Sequence, residues 1–191
     1  MKYVKILGLL AVAAAALMAF AASASATTVV DGNGNETPTI HAVHEGTHVS
    51  LHNSIVNIEC NSTVEGTVTS HGSGVTAVGH ISTLLFNNCT NEWVVDVTSN
   101  GTLEVHYTGP GTGHGEGTLT SNAAKVTATR AGLSCVYETK NTAIGTVVGG
   151  NPATLSISAS IPRVGGSFLC GGSTATWTGS YATTGTLAIQ P

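Results

Sequence analysis

Charged residues are scarce in this 191-residue chain, and basic residues are the scarcest. Asp, Glu, Lys and Arg make up 8 % of the sequence, with six basic residues against ten acidic ones. Because nucleic-acid binding needs a basic surface that neutralises phosphates, we expect no nucleic-acid partner. Leu, Glu and Lys are too few for long amphipathic helices. Thr, Ser, Gly, Ala and Val dominate instead, as is typical of β-strands with small polar outer faces.

The sequence also lacks the short motifs that mark common catalytic sites. It has no G-x-S-x-G nucleophile elbow and no C-x-x-C pair for zinc. The glycine-rich run 109–117 is followed by neither the lysine nor the helix that a phosphate cradle needs, so we interpret it as a hairpin loop. Aromatic residues are few, and we expect Trp93 and Trp177 to lie in the core. These absences predict a protein that is not an enzyme and needs no cofactor.

Residues 1–26 have the layout of a cleaved secretory signal. Two lysines precede an apolar core over residues 6–22, and Ala24-Ser25-Ala26 supplies the small residues of a cleavage site. The alternative, a retained membrane anchor, is disfavoured because the core is short and no basic flank follows it. Cleavage before Thr27 would leave four basic and ten acidic residues, a formal charge of −6. We expect a secreted, extracellular or cell-surface protein with no membrane span after cleavage.

Four cysteines remain in the mature chain: Cys60, Cys89, Cys135 and Cys170. An even number of cysteines in an exported chain predicts a disulfide framework. Three connectivities are possible, and we favour Cys60–Cys89 with Cys135–Cys170 because each pair flanks one unit of strands and turns. Each closed loop of about 30 residues would contribute roughly 3–4 kcal/mol by the loop-closure entropy argument.

Apolar and polar residues alternate along most of the mature chain, with turn residues about every 8–12 positions. Residues 93–98 and 102–108 are predicted to form a hairpin, since Asn100-Gly101 tolerates the positive φ of a type I′ turn. The whole pattern predicts an all-β fold, an antiparallel β-sandwich or jelly-roll-like barrel, as a single domain over residues 48–191. Residues 27–47 are predicted to be an exposed N-terminal arm that could add as a strand to a neighbouring molecule.

The stretch His44-Glu45-Gly46-Thr47-His48 matches the H-E-x-x-H pattern of zinc metalloproteases. In those enzymes a helix brings both histidines to the zinc, and the glutamate is the general base for the zinc-bound water. Here a glycine interrupts the motif and strand alternation follows it, so the two histidines would lie about 13 Å apart on a strand. We favour solvated polar positions, and keep His44, His48 and His52 as candidates for a looser metal or pH-sensitive site.

Several segments resemble a broad group of small exported bacterial proteins, themselves distantly similar to the secreted proteins named for activating alkane oxidation. The segments are Ile58-Glu59-Cys60, residues 84–89, Cys135-Val136-Tyr137, Phe168-Leu169-Cys170 and residues 175–181. The resemblance covers most of the chain from Ile58 onward and carries no catalytic motif. It implies an extracellular, surface-associated β-protein with a part in hydrocarbon handling or surface colonisation.

Three functional hypotheses follow, in order of preference. The first is a non-enzymatic secreted or cell-surface β-protein that acts in surface interaction or extracellular assembly, through self-association or a cell-surface partner. The second is a binder of small apolar ligands, hydrocarbons or lipids, in a cavity between its sheets. The third is a zinc metallohydrolase built on the His44–His48 match.

Overall fold

The computed structural model describes residues 26–70 and 75–191, and over these residues the chain is almost entirely β-strand. The strands are β1 (Thr28–Asp31), β2 (Thr39–His52), β3 (Asn57–Thr69), β4 (Ala77–Asn87), β5 (Val94–Ser99), β6 (Thr102–Gly109), β7 (Glu116–Asn122), β8 (Lys125–Arg130), β9 (Leu133–Glu138), β10 (Thr142–Val148), β11 (Thr154–Gly166), β12 (Thr174–Thr183) and β13 (Leu187–Gln190). Thr90–Glu92 and Phe168–Cys170 form single turns of 3₁₀ helix. Within the described residues no helix is long and apolar enough to cross a lipid bilayer. The predicted signal peptide, apart from Ala26, lies outside them.

Eight strands close into an antiparallel barrel in the order β10-β7-β6-β4-β3-β2-β12-β11, with β11 pairing back to β10. The ladder between β11 and β12 holds nine consecutive residue pairs. In β11 the side chains of Ile157, Ala159 and Ile161 are buried while the serines between them are exposed, as a half-buried strand requires. The predicted all-β antiparallel fold is therefore confirmed, and it takes the form of a closed barrel with a second sheet.

The second sheet is formed by the end of β11 with β9, β8 and β5. The pairing of β11 with β12 ends at Pro162, which has no N–H to donate to a ladder. Val164 is then an extra residue in the pairing of β11 with β9, because Arg163 faces Tyr137 and Gly165 faces Val136. Such a bulge bends a strand. It lets β11 leave the barrel and enter the second sheet.

The predicted hairpin around Asn100-Gly101 is wrong. β5 pairs with β8 in the second sheet, whereas β6 pairs with β4 and β7 in the barrel. Gly101 does have a positive φ of 67°, but its turn carries the chain from one sheet to the other. The Asn100 side chain donates a hydrogen bond to the Ser82 carbonyl at 2.8 Å, so the turn is held by β4. The positive φ expected at Gly101 is present, but Asn100 lacks the positive φ that a type I′ turn also requires, and the two flanking strands do not pair with each other.

The predicted exposed arm over residues 27–47 is also wrong, and the domain does not begin at residue 48. β1 pairs with β13, and the first part of β2 lies between β3 and β12 in the barrel wall. Thr27 and Ala42 are fully buried. Residues 32–37, in the loop between β1 and β2, are exposed as expected. The first part of β2 was not predicted, because a strand is held in a sheet by backbone hydrogen bonds, which do not require large apolar side chains.

The barrel and the second sheet share one hydrophobic core, whose largest fully buried side chains include Tyr137, Tyr181, Ile58 and Leu119. Trp93 is buried as predicted, whereas Trp177 is only partly buried. Both predicted disulfides are confirmed, Cys60–Cys89 and Cys135–Cys170, with sequence separations of 29 and 35. Two such bonds are typical of a protein from an oxidising compartment.

Candidate functional site

Three large apolar side chains protrude at one end of the second sheet. Phe168 is 85 % exposed, and Leu169 and Ile55 are 58 % and 59 % exposed. Phe168 is the most exposed large apolar side chain in the described part of the chain. Single exposed apolar residues are ordinary on protein surfaces, whereas large exposed apolar patches mark interaction sites. We call Ile55, Phe168 and Leu169 the apolar tip.

The backbone that carries Phe168 and Leu169 is fixed by hydrogen bonds. Ser167 caps the single 3₁₀ turn, since its Oγ accepts from the Leu169 N–H at 3.2 Å. The Ser167 N–H donates to the Ser134 carbonyl of β9 at 2.8 Å. The Ser167 carbonyl in turn accepts from Arg163 Nη1 at 2.7 Å. The apolar tip therefore projects from a turn that is anchored to the neighbouring strand.

The Cys135–Cys170 disulfide ties the end of the same turn to β9, and both cysteines are fully buried. Gly171 follows with a φ of 78°, which a residue with a side chain adopts at a cost. A Cβ at Gly171 would lie 3.0 Å from Ile55 Cγ1 and 3.0 Å from Asn53 Oδ1. The glycine thus allows the β2–β3 loop to come close, and this approach brings Ile55 against Gly171, two residues after Leu169.

Asn53 locks the β2–β3 loop in place. Its Oδ1 accepts from the N–H groups of Ile55 and Val56 at 2.9 and 2.7 Å. Its Nδ2 donates to the Cys170 carbonyl at 3.0 Å and to the Tyr137 hydroxyl at 3.1 Å. Burial raises the pKa of Tyr137, although the Asn53 hydrogen bond and the Arg163 charge act in the opposite direction. One carboxamide therefore joins both segments of the apolar tip to the core.

The only two arginines of the sequence, Arg130 and Arg163, lie at this end of the second sheet. Arg163 is in β11 just before the apolar tip. Arg130 is the last residue of β8. β9 lies between β8 and β11, so the backbones of β8 and β11 are about 10 Å apart across the sheet. Arg130 lines a shallow groove that also contains Glu92 and Val94. Arg163 therefore lies at the turn that carries Phe168, and Arg130 lies at the end of β8 nearest to the end of β11.

A small cavity of about 50 Å³ lies between the barrel and the second sheet. Leu84, Phe86, Ile161 and Trp177 line it from the barrel, and Val95 and Val126 line it from the second sheet. Phe86 and Trp177 meet edge to face, with ring centroids 6.4 Å apart. The cavity has the location that the small-ligand hypothesis requires, but it is far smaller than the roughly 300–1,000 Å³ of ordinary ligand sites.

The H-E-x-x-H match lies on a strand and not on a helix. Gly46 has a φ of 79°, and residues 44–48 bulge out of the pairing with β3, because Val43 faces Thr63 and Val49 already faces Cys60. His44 Nδ1 is 3.2 Å from the Ser62 N–H nitrogen, and His48 Nδ1 is 3.8 Å from Glu59 Oε2. His52 is exposed at the end of β2.

The metal candidates His44, His48 and His52 are not brought together into one site. Across residues 26–70 and 75–191, no group of three or more His, Cys, Asp or Glu side chains is placed to hold a metal ion. Residues 44–48 form the bulge in β2, and Gly46 supplies its positive φ.

Sequence reasoning missed Ile55, Asn53 and the exposure of Phe168 and Leu169. A signal was available, because two adjacent apolar residues without alternation stand between Gly166-Ser167 and Gly171-Gly172.

Comparisons of the chain with protein-family models, with curated proteins and with solved structures found no match.

Proposed function

We propose that this protein is a non-enzymatic extracellular protein that attaches to lipid surfaces through its apolar tip. The observation that carries the proposal is the 85 % exposure of Phe168 on a turn that is held by a disulfide, a cap and an arginine. A side chain presented on fixed backbone loses little conformational freedom when it inserts. The predicted signal peptide and the two disulfides support an extracellular location.

The expected strength of attachment follows from the exposed area. Full burial of one exposed large apolar side chain contributes roughly 1.5–3 kcal/mol to the free energy of binding. The three side chains of the apolar tip are already partly covered, so their insertion into lipid would contribute about 4 kcal/mol in total. That corresponds to a dissociation constant of about 1 mM. Arg130 and Arg163 would each add about 1 kcal/mol next to anionic headgroups. Attachment is therefore reversible and is stronger on anionic than on neutral lipid.

The shape and charge of this end favour a lipid surface over a protein partner. Specific protein interfaces bury about 800 Å² on each partner over complementary surfaces. The apolar tip consists of only three exposed side chains, few enough to insert between headgroups. The flanking arginines complement phosphate oxygens. A role at hydrocarbon surfaces, which the sequence resemblance implies, would use the same residues.

Flotation with lipid vesicles tests the proposal. The purified disulfide-bonded protein should float with phosphatidylglycerol-containing vesicles and less with phosphatidylcholine vesicles. The double substitution Phe168→Ser with Leu169→Ser should abolish flotation on both. The matched control is Leu85→Ser, because Leu85 is 49 % exposed but lies on the barrel strand β4. Absence of flotation for the unaltered protein, or equal flotation of the tip variant, would overturn the proposal.

A further inference from the structure

A polar cleft of about 350 Å³ lies where the first residues of β2 meet the turn between β12 and β13. Its volume is within the roughly 300–1,000 Å³ of ordinary ligand sites. Asp31 and Asn33 line it from the loop between β1 and β2, and residues 184–186 line it from the turn. Ile55 of the apolar tip follows the other end of β2, so the cleft and the apolar tip lie at different ends of this strand.

Asp31 supplies the cleft with a carboxylate whose position is fixed by the backbone. Its Oδ1 accepts from the N–H groups of Asn33 and Asn35 at 2.8 and 3.0 Å. The N–H groups of Asn35 and Asn33 lower the pKa of Asp31 below its ordinary value, so this side chain is ionised at neutral pH. Both bonds go to Oδ1, so Oδ2 retains the capacity to accept from a ligand.

Most of the other side chains that line the cleft are neutral hydrogen-bonding groups. Thr39, Thr184 and Thr186 carry hydroxyl groups, each of which can donate and accept. The side chain of His41, which is 41 % exposed, also lines the cleft, and its Nδ1 lies 2.9 Å from Glu65 Oε1. Because this contact engages Nδ1, Nε2 is the ring nitrogen that remains for a ligand. Such a lining suits a ligand with several hydroxyl groups.

The cleft lies on the part of the protein that carries negative charge. In the described part of the chain the basic residues lie in or next to the second sheet, and they are Lys125 and Arg130 of β8, Lys140 after β9, and Arg163 near the end of β11. Asp31 and Glu65 therefore have no Lys or Arg near them on the barrel. A cleft lined by charge of one sign raises the local concentration of ligands of the opposite sign.

We infer that the cleft binds a small organic cation that also carries hydroxyl groups, an amino sugar or an amino alcohol. Its ammonium group would donate to Asp31, and its hydroxyl groups would bond to the threonine side chains and to His41. An anion is disfavoured, because there is no Lys or Arg among the described lining residues to pair with it. The cleft shares no residue with the apolar tip, so the inference does not depend on lipid attachment.

Three probes separate the charge from the hydroxyl groups. Glucosamine has both, glucose has hydroxyl groups without the charge, and cyclohexylammonium has the charge without hydroxyl groups. The disulfide-bonded protein, labelled with ¹⁵N, reports binding through the backbone amide signals of Gly32 and Gly34 in the loop that carries Asp31. At neutral pH and low salt we expect saturable shifts with millimolar glucosamine and about fivefold weaker binding of glucose, as an exposed ion pair allows. Cyclohexylammonium should also bind more weakly than glucosamine.

Two matched variants test the role of the Asp31 charge. Asp31→Asn keeps an oxygen that can accept both N–H bonds and removes the charge. It should lower the affinity for glucosamine about fivefold, to that for glucose, and leave the affinity for glucose unchanged. Glu36→Gln is the control, because Glu36 is exposed in the same loop and does not line the cleft. It should leave glucosamine binding unchanged.

A third variant tests the hydroxyl groups. Thr39→Val removes one hydroxyl group at nearly constant shape, so it should weaken the binding of glucosamine and of glucose but not that of cyclohexylammonium.

Several outcomes would overturn the inference. With the unaltered protein these are the absence of a saturable shift with glucosamine, and equal affinity for glucosamine and either of the other two probes. Equal effects of Asp31→Asn and Glu36→Gln would attribute binding to the acidic surface in general. The same saturable shifts with sodium or calcium chloride, at the same concentration, would show a site for simple cations instead.

Discussion

Asn53 Nδ2 lies 3.1 Å from the Tyr137 hydroxyl oxygen and 3.0 Å from the Cys170 carbonyl oxygen, so a single nitrogen bridges β9 and the disulfide-bonded turn. The other atom of the same carboxamide holds the backbone next to Ile55. Tyr137 also lines the cavity. The β2–β3 loop, the apolar tip and the wall of the cavity are thus connected through one side chain.

Asn53→Ala is expected to lower the free energy of unfolding by about 2–3 kcal/mol, because it leaves a buried hydroxyl and several backbone groups without partners. Urea unfolding followed by circular dichroism measures this change. The control is Asn57→Ala, since Asn57 is exposed at the start of β3 and should change stability by less than about 0.5 kcal/mol. Equal effects of the two substitutions would contradict the bridging role of Asn53.

The two disulfides should differ in function but not in their effect on stability. Their sequence separations of 29 and 35 predict similar losses, roughly 3–4 kcal/mol, when either is replaced by serines. Only loss of Cys135–Cys170 frees the turn below Phe168. We therefore expect vesicle flotation to fall for the Cys135→Ser, Cys170→Ser variant and to persist for the Cys60→Ser, Cys89→Ser variant. Equal flotation of both, with both still folded, would show that the fixed turn is not needed.

Arg130→Gln should weaken attachment to anionic vesicles about fivefold at low salt, because about 1 kcal/mol of attraction is lost. Attachment to neutral vesicles should not change. Added salt should reduce the difference, since exposed charges are screened within about 10 Å at 0.1 M. Lys140→Gln is the matched control, because Lys140 is an exposed cation at the opposite end of β9. An equal effect of the two substitutions would point to net charge and not to the end of the molecule that touches lipid.

Tyr181 should make the protein less stable in alkali. Its side chain is 2 % exposed and donates to Ser62 Oγ at 3.0 Å. Burial raises the pKa of Tyr181 from 10.0 to about 12. Since the folded-state pKa is the higher one, the contribution of this tyrosine to stability is complete below pH 10 and is lost as the pH rises through 12.

We expect the free energy of unfolding to fall by about 2–3 kcal/mol across that pH interval, as measured by urea unfolding. Tyr181→Phe has no titrating group at this position, so its stability should fall less over the same interval. The substitution should cost about 1 kcal/mol at neutral pH through the lost hydrogen bond to Ser62. A fall of the same size in both proteins would assign the alkaline sensitivity to other groups.

The alternation of residues and the positions of the cysteines predicted the all-β fold class and the disulfide pairs. They could not determine which strands are neighbours in the sheets. Asn100-Gly101 illustrates the limit. The dipeptide predicts a positive φ and the structure has one, but the choice between a hairpin and a crossing to another sheet depends on distant strands. The disulfides were predictable because each cysteine pair closes a separate unit of the chain.

The candidate site was mostly hidden for the same reason. The exposure of Phe168 depends on what packs over it, and an apolar residue two positions before a buried cysteine is ordinarily expected in the core. The contact between Gly171 and Ile55 joins residues more than a hundred positions apart. Only the glycines and serine around Phe168-Leu169 gave a local indication of a turn.

The shared strand β11 has a mechanical consequence for a protein attached by the apolar tip. Its end leads directly into the turn that carries Phe168, while its beginning is bound to β10 and β12 in the barrel. Drag on an attached molecule would pass from the turn into β11 through the backbone and into β9 through the Cys135–Cys170 disulfide. The load would therefore be divided between the barrel, to which β11 is bound by nine residue pairs with β12, and the second sheet.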